Sequence, residues 1–398
     1  MRASKSRQKK SHAPGETRRI RVAEDRPKYR IFISYTKNDA KVVVRLAKIL
    51  ARNGLKPMWD RDFIYGHGFH EQIRNFIAHA HVFLPVLTEK SDSRKWVHQE
   101  IGFAMAHGIP VLPLAIGELQ DAAMLREIHA FETSRGLRGV EKRLSYKAIA
   151  KVISHHSENT EGLYRCADHA EARARLLAAY SNDVYDLDEC GLVRQKGGLS
   201  SFHIPRHGIS HPDWQKRMGK LQRSAEHCRL QREERIALEK HARAEGCRLI
   251  VNPNLDYREC GKEARIVRLR TLLEFLASMP DRKCAIAFSE TMPRDDSVTL
   301  VGDWFAAESV SARLGQGYRQ TIFTRHAPSL LARIEAFDLE FDQLLTEKGW
   351  TPASSRRKAM GELQTLINEL EKEIEAKKAK REARSRSRRA QARKQNRS

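Results

Sequence analysis

Residues 29–54 read YRIFISYTKNDAKVVVRLAKILARNG, and the fold follows from them. Tyr29 to Tyr35 is a short β-branched and aromatic run, which its length and composition mark as a buried strand. Asn38 and Asp39 then offer an N-cap, and Val42, Val43, Leu46, Ile49 and Leu50 keep helical spacing up to the Asn53-Gly54 stop. Outward from this unit the pattern repeats. Leu55 to Trp59 is a second strand, Asp60 to Gly68 a loop with two glycines, and His70 to His79 a helix. Val82 to Leu87 is a third strand, a helix runs through Ser91 to Gly108, and Ile109 to Ile116 is a fourth strand. Such a βαβαβαβ order with short connections implies a parallel sheet with helices on both faces.

Ligands of such sheets bind beyond the carboxyl ends of the strands. The residues there are Ser34, Tyr35, Thr36 and Lys37 after the first strand, Trp59, Asp60 and Arg61 after the second, and Thr88 to Ser93 after the third. No glycine-rich fingerprint stands between the first strand and helix, which excludes a dinucleotide fold of the Rossmann kind. The acidic cluster, acceptor aspartate and late lysine of a phospho-receiver are missing from their positions as well. In the third helix Trp96 and Glu100 are one turn apart and project from one face. Val97, Ile101, Ala104 and Met105 would form the inward stripe, leaving Trp96 and Glu100 towards its edge. On spacing alone this is either a core tryptophan beside a solvated glutamate or a pair that flanks one small ligand.

Three motifs decide between them. FISYTKND at Phe32 to Asp39, the Trp59-Asp60 pair, and WVHQE at Trp96 to Glu100 followed by FAMAHGIPVLPL resemble a TIR (Toll/interleukin-1 receptor) domain over about residues 29–156. The resemblance implies a flavodoxin-like α/β sheet. WxxxE is similar to the TIR subgroup that hydrolyses NAD+ in immune and antiviral defence, which implies that Glu100 is catalytic and that Trp96 lines its pocket. It extends the expected substrate contacts to Tyr35, Thr36, Lys37, Trp59, Asp60 and Arg61, with Lys37 and Arg61 as candidates for the diphosphate. Family members often carry an arginine after the tyrosine of the first motif; here Thr36 stands in that place, with Lys37 next. The resemblance also implies TIR-TIR self-association that completes the site by moving the loop after the second strand, Arg61 to Gly68. NAD+ would be substrate, with no cofactor and no metal. The alternative is a non-catalytic TIR adaptor that signals by assembly.

One carboxylate can serve this chemistry. Glycosidases use two because an alkoxide leaving group needs a proton. The nicotinamide of NAD+ leaves as a neutral base, so the remaining task is to stabilise an oxocarbenium-like ribose, a charge that exists mainly in the transition state.

The chain has 398 residues, enough for two or three domains, and 40% apolar residues, enough for ordinary cores. Its formal charge of +23 is concentrated at the ends: residues 1–30 hold 11 Lys/Arg against 3 Asp/Glu, and residues 377–398 hold 11 against 1. Between them the net charge is only +5. Basic ends of this kind suit nucleic acid or another polyanion, and equally a solvated tail. Met1 to Lys28 has almost no apolar face, which argues against a transit peptide. No run approaches the length of a membrane span, so no membrane contact is expected. Six cysteines (Cys166, Cys190, Cys228, Cys247, Cys260, Cys284) lie scattered without metal-ligand spacing and suit a reduced, cytoplasmic protein. His155-His156 likewise carries no metal signature.

The expected organisation is a basic arm over residues 1–28, the TIR domain over 29–156, a connector over 157–212, a second α/β domain over 213–348, and a helix with a basic tail over 349–398. The second domain should contain a long polar helix ending near Gly246, strands at Cys247 to Asn252, Cys284 to Phe288, Ser297 to Trp304 and Gln320 to Thr324, and helices at Ala264 to Met279 and Ser329 to Thr346. Asp303-Trp304 and His326 fall at strand ends, where a site could be, but without a P-loop or metal spacing beside them they read as structural. Leu363, Leu366, Ile367, Leu370 and Ile374 have the spacing of a short coiled coil or of a helix packed on its own domain.

Overall fold

The computed structural model describes residues 28–59, 69–88, 95–117, 130–157, 164–187, 189–204, 225–255, 261–280, 282–293, 296–311 and 319–395. Its first sheet is parallel, in the order β2-β1-β3-β4-β5. The strands are β1 (Arg30–Ser34), β2 (Lys56–Met58), β3 (Val82–Thr88), β4 (Leu114–Ile116) and β5 (Phe131–Thr133). The helices are α1 (Ala40–Arg52), α2 (Phe69–His79), α3 (Lys95–Ala106), α4 (Val140–Arg143) and α5 (Tyr146–Ser157).

Side chains alternate across β1, and each face finds its own core. Ile31 and Ile33 pack with Val43, Leu46 and Leu50 of α1 and with Ile149 and Ile153 of α5. Phe32 faces the other way, against Phe76 and Ile77 of α2 and Val97, Ile101 and Ala104 of α3, with its ring stacked on Phe76 at 5.4 Å.

The fourth strand is shorter than the expected Ile109 to Ile116. Pro110 and Pro113 each lack the N–H that a central ladder requires. The backbone still follows β3, with Phe83 N–H donating to the Pro110 carbonyl and Leu112 N–H to the Phe83 carbonyl, both at 2.9 Å. The three-residue β5 was not anticipated, being too short to show a periodicity.

The second sheet has seven strands in the order β6-β12-β11-β10-β7-β8-β9. These are β6 (Tyr164–Ala167), β7 (Val193–Gly197), β8 (Cys247–Val251), β9 (Cys284–Phe288), β10 (Val298–Val301), β11 (Phe305–Ser311) and β12 (Arg319–Thr324), and α6 (Ala170–Asp186) follows β6. Helices α7 (Ala225–Glu245) and α8 (Gly261–Ser278) join the parallel trio β7, β8 and β9. The remaining four strands are antiparallel.

Residues 157–212, expected as a connector, therefore carry two strands and a helix of this sheet. The missed strand β7 (VRQKG) looks unlike a central strand because its charges are neutralised only in three dimensions. Arg194 is bidentate to Asp338 at 2.8 Å, and Lys196 bridges Asp296 at 2.5 Å and Glu340 at 2.7 Å. The strand expected over Ser297 to Trp304 is β10, which ends at Val301; the chain reverses at Gly302, whose φ is +51°, into β11, which the sequence reading did not include. A Cβ on the facing Gly191 would lie 2.6 Å from the Gly302 nitrogen, so the turn also needs a glycine opposite it.

Helix α9 (Ala327–Glu347) and the 44-residue α10 (Pro352–Gln395) close the chain. Leu363, Ile367 and Leu370 of α10 are buried in the core that α8 and β9 share. The stripe with coiled-coil spacing is thus spent on its own chain.

The two sheets meet at Arg30, which is fully buried. Its guanidinium donates to the carbonyls of His79 at 2.8 Å, Asp303 at 2.9 Å and Trp304 at 3.3 Å and lies 4.2 Å from the centre of the Trp304 ring. Arg30 N–H donates to His81 Nδ1 at 2.8 Å. His81 Nε2 must then carry the ring proton, which it gives to the Arg325 carbonyl at 2.9 Å. Burial, reinforced by Arg30, holds His81 well below the usual histidine range, and burial brings His79 down to about 4. Both rings are neutral at pH 7. Asp303-Trp304, read from sequence as structural, forms this seam, while His326 pairs with Ser329 at 2.8 Å at the start of α9.

Candidate active site

Helix α3 turns Val97, Ile101 and Ala104 inward, and Glu100 lies on the same flank as Val97 and Ala104. The carboxylate is therefore buried, with Glu100 8% exposed, where the spacing had placed it at the edge of the stripe. Met105, expected inward, is 55% exposed. The stripe is rotated towards Glu100.

Opposite Glu100 stands Ser34, the last residue of β1 and 6% exposed. Phe32 and Ser34 share the α3 side of the sheet by strand alternation, so the hydroxyl meets the carboxylate directly. Ser34 Oγ donates to Glu100 Oε2 at 2.5 Å. Burial raises the Glu100 carboxyl from 4.5 to about 7, and the Ser34 hydrogen bond pulls in the opposite direction. The result is a carboxyl poised to change charge near neutrality, at the carboxyl edge of a parallel sheet.

Beside it a second polar group ties the strand ends together. Thr36 Oγ1 donates to Asp39 Oδ2 at 2.6 Å, and Thr88 Oγ1, at the end of β3, donates to the same oxygen at 3.2 Å. Asp39 makes no side-chain capping bond to α1. Its carboxylate instead braces β1 against β3.

Residues 31–145 match the family model described as TIR domain. These residues are a TIR domain. No curated protein matches the chain.

Within the TIR domain, the residues expected around the substrate do not all fall on the Glu100 side. Trp59 is 5% exposed and belongs to the core on the α1 side, and Tyr35 packs partly buried against that same core. Neither lies on the face that Glu100 and Ser34 share. Thr36 is buried with its hydroxyl on Asp39, and Lys37 is exposed. Trp96 has its backbone in α3 one turn before Glu100. Its side chain, Asp60, Arg61 and the remainder of the loop to Gly68 lie outside the described residues. Among the described residues no group of three or more His, Cys, Asp or Glu side chains could hold a metal ion.

From sequence, Ser34 and Thr88 stand out only by position, without a role, and Asp39 only as an N-cap, a bond that its side chain does not make. Ser34 is the most legible of them: a hydroxyl that closes the apolar run Ile31 to Ile33 of a buried strand has to meet a polar partner.

Proposed function

We propose that the TIR domain cleaves the nicotinamide-ribose bond of NAD+, with Glu100 as the catalytic residue. The observation that carries this reading is a buried glutamate, hydrogen-bonded to Ser34 at the carboxyl edge of the sheet and titrating at about 7. The C–N bond breaks with its electron pair going to the nicotinamide nitrogen, which leaves neutral. The ribose carbon becomes cationic, and the Glu100 carboxylate, little solvated, stabilises it more strongly than water would. Water then adds oxygen to that carbon and releases a proton, giving ADP-ribose; attack by a group of the ADP-ribose itself would give a cyclic product. Trp96, Tyr35, Thr36, Lys37, Trp59, Asp60 and Arg61 are the proposed substrate contacts.

We place this activity in defence signalling in the cytoplasm, with residues 157–398 as sensor or regulator, TIR-TIR association completing the site, and the basic ends touching nucleic acid or another polyanion. No described helix is long and apolar enough to cross a membrane.

The test is nicotinamide release from NAD+ by the full chain at several protein concentrations. Glu100→Ala should abolish release, the wild-type kcat should rise with pH through about 7 as the carboxyl ionises, and the rate per chain should rise with concentration. Turnover unchanged in Glu100→Ala would overturn the assignment. Absence of release under every condition would favour the non-catalytic scaffold.

A further inference from the structure

We propose that Ser34 is the positioning residue of this site: its hydroxyl fixes the orientation of the Glu100 carboxylate and favours the ionised form. The inference rests on the NAD+ reading for its kinetic consequence, but its geometry stands apart from the substrate. Strand β1 is hydrogen-bonded on both sides, to β2 and β3, and all five of its residues are buried. Ser34 Cα is thereby fixed to the sheet, whereas α3 reaches the sheet through side chains. The bond from Ser34 Oγ to Glu100 Oε2 is a polar tie between them, and among the described residues it is the only hydrogen bond to that carboxylate. At 2.5 Å it has the length of a charge-assisted O–H···O⁻ bond.

The charged and titratable groups on the neighbouring elements whose side chains are described are Lys37 and Asp39 ahead of α1, Arg74 and His79 on α2, and His98 on α3 itself; β3 contributes none. Among the described residues, burial raises the Glu100 carboxyl and the Ser34 hydrogen bond is the one side-chain group that shifts it. The serine is the element that opposes desolvation. A site that needs an anion in a desolvated place, and builds it with one donor, depends on that donor for its working pH.

The experiment compares wild type, Ser34→Ala, Ser34→Cys and Ser34→Thr in the full chain. Two readouts are taken: the pH profile of NAD+ cleavage, and the titration of Glu100 followed by carbon-13 NMR of labelled glutamate, assigned with Glu100→Gln. A hydrogen bond to a charged group is worth about 1.5–3 kcal/mol, so its loss in Ser34→Ala should move both midpoints up by about one to two pH units. At pH 7 that lowers kcat about five- to fiftyfold, with KM little changed. Ser34→Thr should restore the wild-type midpoint, and Ser34→Cys, a weaker donor of similar size, should fall between. A Glu100 titration that is the same in wild type, Ser34→Ala and Ser34→Cys overturns the proposal. If wild type releases no nicotinamide the NAD+ reading fails, while the NMR titration still decides the role of Ser34.

Discussion

Glu100 is held where a carboxylate is least comfortable, and that discomfort has a sign. An acid whose carboxyl rises from 4.5 to about 7 on folding binds its proton more tightly in the native state. The unfolded chain loses that proton first, so stability falls as pH climbs from 4.5 and the full cost is present above about 7. That cost is on the order of 3 kcal/mol. Glu100→Gln keeps the shape and removes the charge. It should raise the urea midpoint at pH 8 and leave it nearly unchanged at pH 4, where the wild-type carboxyl is neutral in both states. Equal midpoints at pH 8 would mean that the buried carboxylate carries no strain, and with it would go the reason to see a functional site there.

Strand β1 does two jobs at its two ends. At the Ser34 end it holds Glu100; at the Arg30 end it is gripped by the turn between β10 and β11, through the carbonyls of Asp303 and Trp304 and the ring of Trp304. Lys56 of β2 joins this contact, 2.5 Å from Glu189 and 4.9 Å from the centre of the Trp304 ring. Arg30→Met would fill much of the same space but leave three carbonyls without their donor. Each unsatisfied buried carbonyl costs about 1–3 kcal/mol, so the variant should lose at least about 3 kcal/mol in urea unfolding. Amide exchange should quicken first in the β10–β11 turn. Protection that falls uniformly, or not at all, would show that the seam is held elsewhere.

Taken whole, the molecule is two sheets joined through one continuous apolar cluster that runs from Phe32 and Phe76 through Leu177 to Trp304 and Leu363. The α2 and α3 side of the TIR domain is thus packed within the chain. Charge is distributed differently, with the excess of cations at the two ends. Residues 377–395 continue α10 beyond its last core residues as a helix rich in Lys and Arg. Past Ile374 this stretch has no side chain more apolar than alanine, which leaves electrostatics as its means of contact. Deleting residues 377–398 should weaken binding to duplex DNA and flatten the dependence of log K on log salt by about 0.9 for each phosphate that the helix no longer neutralises. The urea midpoint should not move. Salt dependence identical in the truncated chain would assign any binding to another part of the surface.

Sequence and structure divide the explanation along physical lines. Hydrophobic periodicity carried by residues 29–116 was enough to give the parallel sheet and its first helices, because those elements bury continuous apolar stripes. WxxxE pointed to Glu100 through the resemblance to TIR domains, because spacing alone left a core tryptophan beside a solvated glutamate as an open reading. Beyond that, legibility failed wherever a residue's environment is built by distant partners. Strand β7 reads as a polar connector because the Asp338, Asp296 and Glu340 that neutralise it stand far along the chain. Arg30 looks like the last cation of a basic arm, and only the approach of Asp303 and Trp304 makes it a buried seam. Trp59 reads as a residue after a strand end, and only the fold shows it buried in the core on the α1 side. Glu100 itself is the sharpest case: its position on one helical face follows from local spacing, but its burial against the sheet, which raises its carboxyl to about 7, and the opposing hydrogen bond from Ser34, 66 residues away, exist only in the fold.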